Sequence, residues 1–204
     1  MTRARSIIAA AVAATFLLAG SASAAVFNFE TDPFTATTPF SSTSSGLTAR
    51  FAGSTSADPG AFEISYNSTS GPLPLFSGLN LSFLTTALGS IDPSSPLSIT
   101  FSQAVSALSL NFALGDRSGS LTLATNGGGS VTAAGAVPSG YNYAEGLLRY
   151  SGPAFTVATL STRASSLAVD NINATVAASA VPEPATLALL GTGLVGIVLR
   201  RRRG

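Results

Sequence analysis

Residues 97–134 read LSITFSQAVSALSLNFALGDRSGSLTLATNGGGSVTAA. Leu97, Ile99 and Phe101 alternate with Ser and Thr, and Leu108, Leu110, Phe112 and Leu114 alternate again after a short break. A period of two puts one row of side chains on a core and the other on water, which is the pattern of a half-buried strand. Gly115-Asp116-Arg117-Ser118-Gly119 and Asn126-Gly127-Gly128-Gly129 then supply turn residues, with Leu121-x-Leu123 between them. The stretch predicts an antiparallel meander: strand, short break, strand, tight turn, strand, Gly-rich turn, strand.

Working outward, the same alternation returns in Phe27-x-Phe29, Phe62-x-Ile64-x-Tyr66, Leu79-x-Leu81-x-Phe83, Phe155-x-Val157 and the run Leu167–Ile172. Asp58-Pro59-Gly60, Ser70-Gly71-Pro72 and Asp92-Pro93 punctuate the runs. No segment between residues 25 and 180 carries a long amphipathic helical pattern. About ten short strands in one domain predict an all-β fold, an antiparallel, jelly-roll-like β-sandwich. An immunoglobulin-like sandwich is the alternative that strand count leaves open. The Ser/Thr-rich patch 35–45 reads as a loop.

Composition narrows the chemistry. The chain has no cysteine and no histidine. Disulfides, thiolate catalysis, Ser-His-Asp triads and most zinc or copper sites are therefore excluded. Six of the ten arginines lie in the two ends, at positions 3, 5 and 200–203, so the formal charge of +1 is misleading. Between residues 25 and 180 there are four arginines, no lysine and eight acids, a net charge near −4. A body of that sign lacks the electrostatic footprint of nucleic-acid binding.

The two ends are built differently from the body. Arg3 and Arg5 precede an apolar run, Ile7–Gly20, and then Ala22-Ser23-Ala24. Basic, apolar and A-x-A segments in that order predict a signal peptide over residues 1–24, cut by signal peptidase after Ala24 to leave Ala25 first. At the far end, Val181-Pro182-Glu183-Pro184 precedes an uncharged span, residues 185–199, and then Arg200, Arg201, Arg202 and Arg203. Fifteen helical residues make about 22 Å, so Pro184 and the arginine stems must help to cross a ~30 Å hydrocarbon core. The four cations stop translocation and keep the C-terminus cytoplasmic. Gly191-x-Gly193-x-x-Gly196 formally matches a dinucleotide fingerprint, but no βαβ unit follows it. The two prolines fix φ and hold the Pro-Glu-Pro segment extended, outside any helix.

With Thr186, Leu189-Leu190-Gly191, Gly193-Leu194 and Gly196, the segment 181–204 resembles the PEP-CTERM sorting signal of exosortase substrates in Gram-negative-type bacteria. The resemblance implies a membrane-embedded exosortase that reads Pro182, Glu183 and Pro184 and processes the tail near them. The expected course is export by the secretion machinery, an intermediate anchored in the inner membrane, and then the cell surface or an exopolysaccharide matrix.

Candidate sites in the body, 25–180, are sparse. Leu167-Ala168-Val169-Asp170-Asn171-Ile172 resembles the closing strand of exosortase substrates and carbohydrate-binding jelly rolls, with Phe27-Asn28-Phe29-Glu30 as the opening strand. Pairing of the two would bring Glu30 to Asp170. A structural calcium ion held by Glu30, Asp170, Asp32 and backbone carbonyls is one reading. An Asp170 held by backbone N–H groups or an arginine is the other. Tyr141 and Tyr143, with Asn142 and Glu145, form the candidate sugar contact; the competing reading has both rings packed against the sandwich. Asp32, Asp58, Asp92 and Asp116 stand beside turn residues, so a catalytic carboxylate pair has little support. The expectation is a non-enzymatic envelope or matrix protein with a structural or carbohydrate-associated sandwich. A secreted carbohydrate-active enzyme displayed by the same tail is the alternative.

Overall fold

The structure, a computed structural model, describes residues 23–53, 62–66, 74–83 and 96–178. The expected signal peptide as far as Ala22, the Pro182–Pro184 box, the span 185–199 and the four terminal arginines lie outside the described residues. Among those described, no helix is long and apolar enough to cross a membrane.

The described residues form ten strands: β1 (Ala24–Phe27), β2 (Phe40–Ser44), β3 (Leu47–Gly53), β4 (Phe62–Tyr66), β5 (Leu79–Phe83), β6 (Leu97–Leu114), β7 (Ser120–Thr125), β8 (Ser130–Ala134), β9 (Ala144–Thr162) and β10 (Leu167–Val176). All pairings between them are antiparallel. The expected all-β, antiparallel sandwich is what the described residues form, but two of its strands are not short.

β6 runs for 18 residues and β9 for 19, and they pair along most of their lengths. The first half of β6 lies between β3 and the second half of β9, giving the order β2-β3-β6-β9-β7-β8. The second half of β6 lies between β10 and the first half of β9. There β10 also pairs with β5, which carries β4, and with β1. The two halves of the sandwich therefore share β6 and β9.

A long strand can serve both halves only if it changes direction, and the sequence shows how. In β6 the positions in the main core are Leu97, Ile99, Phe101 and Val105, then Leu108, Leu110, Phe112 and Leu114. The inward row moves from odd to even positions where the register shifts on either side of Val105. An extra residue at a bulge reverses the facing of every later side chain, so the apparent break in the alternation is a bend within one strand. β9 is irregular opposite this point, at Ser151–Ala154, an exposed Ser-Gly-Pro-Ala stretch whose Pro153 has no N–H to offer a ladder.

The patch expected to be a loop, 35–45, is corrected in part. Phe40–Ser44 forms β2, because Phe40 stacks on Phe51 at 5.1 Å and Ser42 turns inward, while its neighbours pair with β3. Phe27, Phe29, Phe51, Phe62 and Phe112 are the largest fully buried side chains. The edge-to-face pairs Phe29–Phe51 at 5.4 Å and Phe27–Phe51 at 6.2 Å tie β1 and its continuation to β3.

Candidate functional site

β1 and β10 pair from Ala24↔Thr175 to Phe27↔Ile172, so the opening and closing strands meet as the sequence leads one to expect. Beyond Phe27 the chain turns sharply. Phe29 takes φ +62°, buries its ring and hands Glu30 outward. A bulky residue in the left-handed region is uncommon, and here the buried ring holds it there. On β10 the register slips between Asp170 and Asn173, with Asn171 at φ +51°. The slip lets Val169 and Asp170 both be fully buried although they are neighbours in the chain.

A third segment completes the arrangement. Residues 75–79 lie across the outer face of the sheet formed by β10, β6 and β9. Leu75 N–H donates to Glu145 Oε2 at 3.1 Å, Ser77 N–H to Asp170 Oδ2 at 3.3 Å and Leu79 N–H to Glu30 Oε1 at 2.9 Å. Three carboxylates from three parts of the chain thus take the N–H groups of residues 75, 77 and 79. Asn111 Nδ2 donates to Leu75 O at 2.7 Å, and Phe76 packs on Ala113, Ala168 and Tyr143. Gly78 is required twice, by its φ of +67° and by the Glu30 carboxylate that occupies the place of a Cβ.

The electrostatics follow from burial. Asp170 is pushed up to about 6, mainly by desolvation; the N–H groups of Asn171 and Ser77 oppose this and nearby Glu30 adds to it. Asn171 donates twice to Asp170, from its backbone N–H at 2.6 Å and from Nδ2 at 3.1 Å. Glu145 is also raised by desolvation, opposed by the Leu75 N–H, and its Oε1 has no partner among the described residues.

The expected site residues divide accordingly. Glu30 and Asp170 do come together, held by backbone and amide N–H groups. Asp32 instead accepts the Ser42 hydroxyl at 2.9 Å. Among the described residues no three acids gather into a metal-binding group. Tyr143 is half-buried against Phe76 and Ala113; Tyr141 is half-buried in a turn, its N–H on Pro138 O. Glu145, 4% exposed, lies under the 75–79 segment. Ala24 and Ala25 belong to β1. Sequence reasoning did not foresee the covering segment, since nothing local in Leu75-Phe76-Ser77-Gly78 marks a partner for distant acids.

A second feature lies at the other end of β9. An open cleft of about 520 Å³ is lined by Ser118, Ser120, Thr122, Ser161 and Thr162, with Asp116 and Arg163 beside them. Asp116 is fixed by the Ser165 hydroxyl at 2.9 Å. Arg163 is exposed and meets no acid among the described residues.

Comparison with known proteins bears on the tail. Residues 180–203 match the PEP-CTERM protein-sorting motif. The motif marks an exported protein and implies an exosortase as its processing partner. No curated protein matches the chain. Among solved structures, a family 29 carbohydrate-binding module is 12% identical over 76% of this chain and 93% of its own, with a TM-score of 0.37. A family 61 module in complex with β-1,4-galactotriose is 11% identical over 73% and 90%, with a TM-score of 0.33. The catalytic unit of an α-1,3-glucanase from Streptomyces thermodiastaticus is 18% identical over 61% and 28%, with a TM-score of 0.31. None is close enough to lend this chain a ligand or an activity.

Proposed function

We propose that this chain is a non-enzymatic β-sandwich that signal peptidase frees after Ala24, that is held in the inner membrane by its tail, and that exosortase then delivers to the cell surface or matrix. The observation that carries the reading is the sorting motif at residues 180–203, placed directly after a folded body. Changing Pro182, Glu183 and Pro184 together to alanine removes the extended box and leaves the apolar span intact. The expected result is retention of the variant in the membrane fraction, while the wild-type protein is released. Equal release of both would remove exosortase from the account.

The body is read as a structural module with a carbohydrate contact. The hydroxyl-lined cleft beside Arg163 favours this: Ser and Thr hydroxyls, a fixed carboxylate and a guanidinium that meets no acid among the described residues match the donors and acceptors of a sugar. Its volume is in the usual range for small ligands, about 300–1,000 Å³. Arg163→Ala is expected to weaken retention of the protein on the producing cell's exopolysaccharide at least about threefold, roughly one hydrogen bond. Unchanged retention would move the contact elsewhere, with Tyr141 next to be replaced. The buried positions of Asp170 and Glu145 weigh against the rival reading of a sugar-cleaving enzyme, since neither carboxylate reaches an open groove.

A further inference from the structure

We infer that the fold itself sets the order of processing: the signal peptide has to be removed before the sandwich closes, because the bond to be cut becomes part of a strand. The inference rests on the reading that signal peptidase cuts between Ala24 and Ala25.

The geometry is direct. Ala24 pairs with Thr175, Ala25 with Ala174, Val26 with Asn173 and Phe27 with Ile172. Val176 N–H donates to Ser23 O at 2.9 Å, which carries the ladder one residue before β1 begins. The Ala24–Ala25 peptide therefore has paired residues on both sides. Ala25 and Phe27 are each 1% exposed, and Phe27 rests on Phe51. An endoprotease holds its substrate extended, commonly by pairing with it as an added strand. Backbone already paired with β10 has to be peeled away first, which brings Phe27 out of the core. Local opening that exposes such a side chain slows cleavage on the order of a hundredfold or more.

The chain order reinforces this. β10 is the last strand among the described residues, so until it has crossed, β1 lacks the strand it pairs with and the bond is unpaired. Once β10 arrives, the two strands close over the bond. A precursor that folds with its signal peptide attached is thus trapped with both hydrophobic ends in place. The tail differs. Ala177 N–H to Ala104 O, 2.8 Å, is the last backbone bond of the described body, and Pro182 lies five residues further on. A cut near the box removes nothing from the sandwich.

The full-length precursor, unfolded in urea and diluted into detergent, is mixed with bacterial signal peptidase at successive refolding times, with near-ultraviolet circular dichroism recording the fold. The expected result is a cut at Ala24–Ala25 at the earliest times, identified by mass, and resistance that grows with the folding signal to about a hundredfold or more. Ile172→Ala trims the partner of Phe27 on β10 and leaves the peptidase's recognition residues unchanged. In its folded state it is expected to regain a large part of the cleavage rate. Equal rates before and after folding overturn the ordering. A cut at another bond, or none, in the unfolded chain overturns the Ala24–Ala25 reading and the inference with it.

Discussion

Asp170 shows how a single side chain can carry both a structural and a diagnostic role. Its burial raises its pKa from 3.8 to about 6, against the opposing pull of its N–H donors. The folded chain therefore keeps this proton between about pH 4 and pH 6, where the unfolded chain has lost it. Stability from this group is highest below pH 4, falls as pH rises through that window, and is level above it. The difference between wild type and Asp170→Asn, measured by urea unfolding across pH 3.5–7, is expected to change by about 2 kcal/mol in that direction. The same titration decides the question of calcium. With N–H groups already compensating Glu30 and Asp170, millimolar calcium is expected to leave the melting temperature where it is in chelator. A saturable rise, with the pH slope abolished, would place an ion between them. That Glu30 and Asp170 would come together was legible from the sequence; that Ser77 N–H would meet Asp170 and Leu79 N–H would meet Glu30 was not, because those contacts join segments distant in the chain.

At the level of elements, the decisive feature is that β6 and β9 each serve both halves of the sandwich. The alternation in 97–101 and 108–114 correctly gave strands facing a core. It was read as two strands because a bulge and a loop leave the same mark on periodicity, a missing beat; only the partners, β3 on one side and β10 on the other, distinguish them. β2 was missed for a related reason. Ser and Thr are ordinary strand residues, but a single aromatic, Phe40, is too little to produce an alternating row. Deletion of Ala104 tests the bend. One residue fewer puts Leu108, Leu110, Phe112 and Leu114 on the solvent face, and the expected loss exceeds about 4 kcal/mol, so that no cooperative unfolding remains. A deletion variant that keeps a cooperative transition within 1 kcal/mol of wild type, by the same magnitude scale, would mean that the bulge is not what reverses the strand.

Across the whole molecule, function is written mostly in the ends and architecture mostly in the middle. The sorting motif was legible because proline, charge and hydropathy act locally there and need no fold to be read. The body offers no such shorthand: its surface is hydroxyl-rich, it lacks histidine and cysteine, and its most unusual carboxylates serve the fold from beneath a covering segment. β1 and β10 bring the first and last strands of the described body together as one antiparallel pair. The most direct test of the account is the intact mass of the protein recovered from culture medium and from membranes. The account predicts a medium form that begins at Ala25 and ends near the Pro182–Pro184 box. A membrane form still ending at Gly204, with none released, would contradict it.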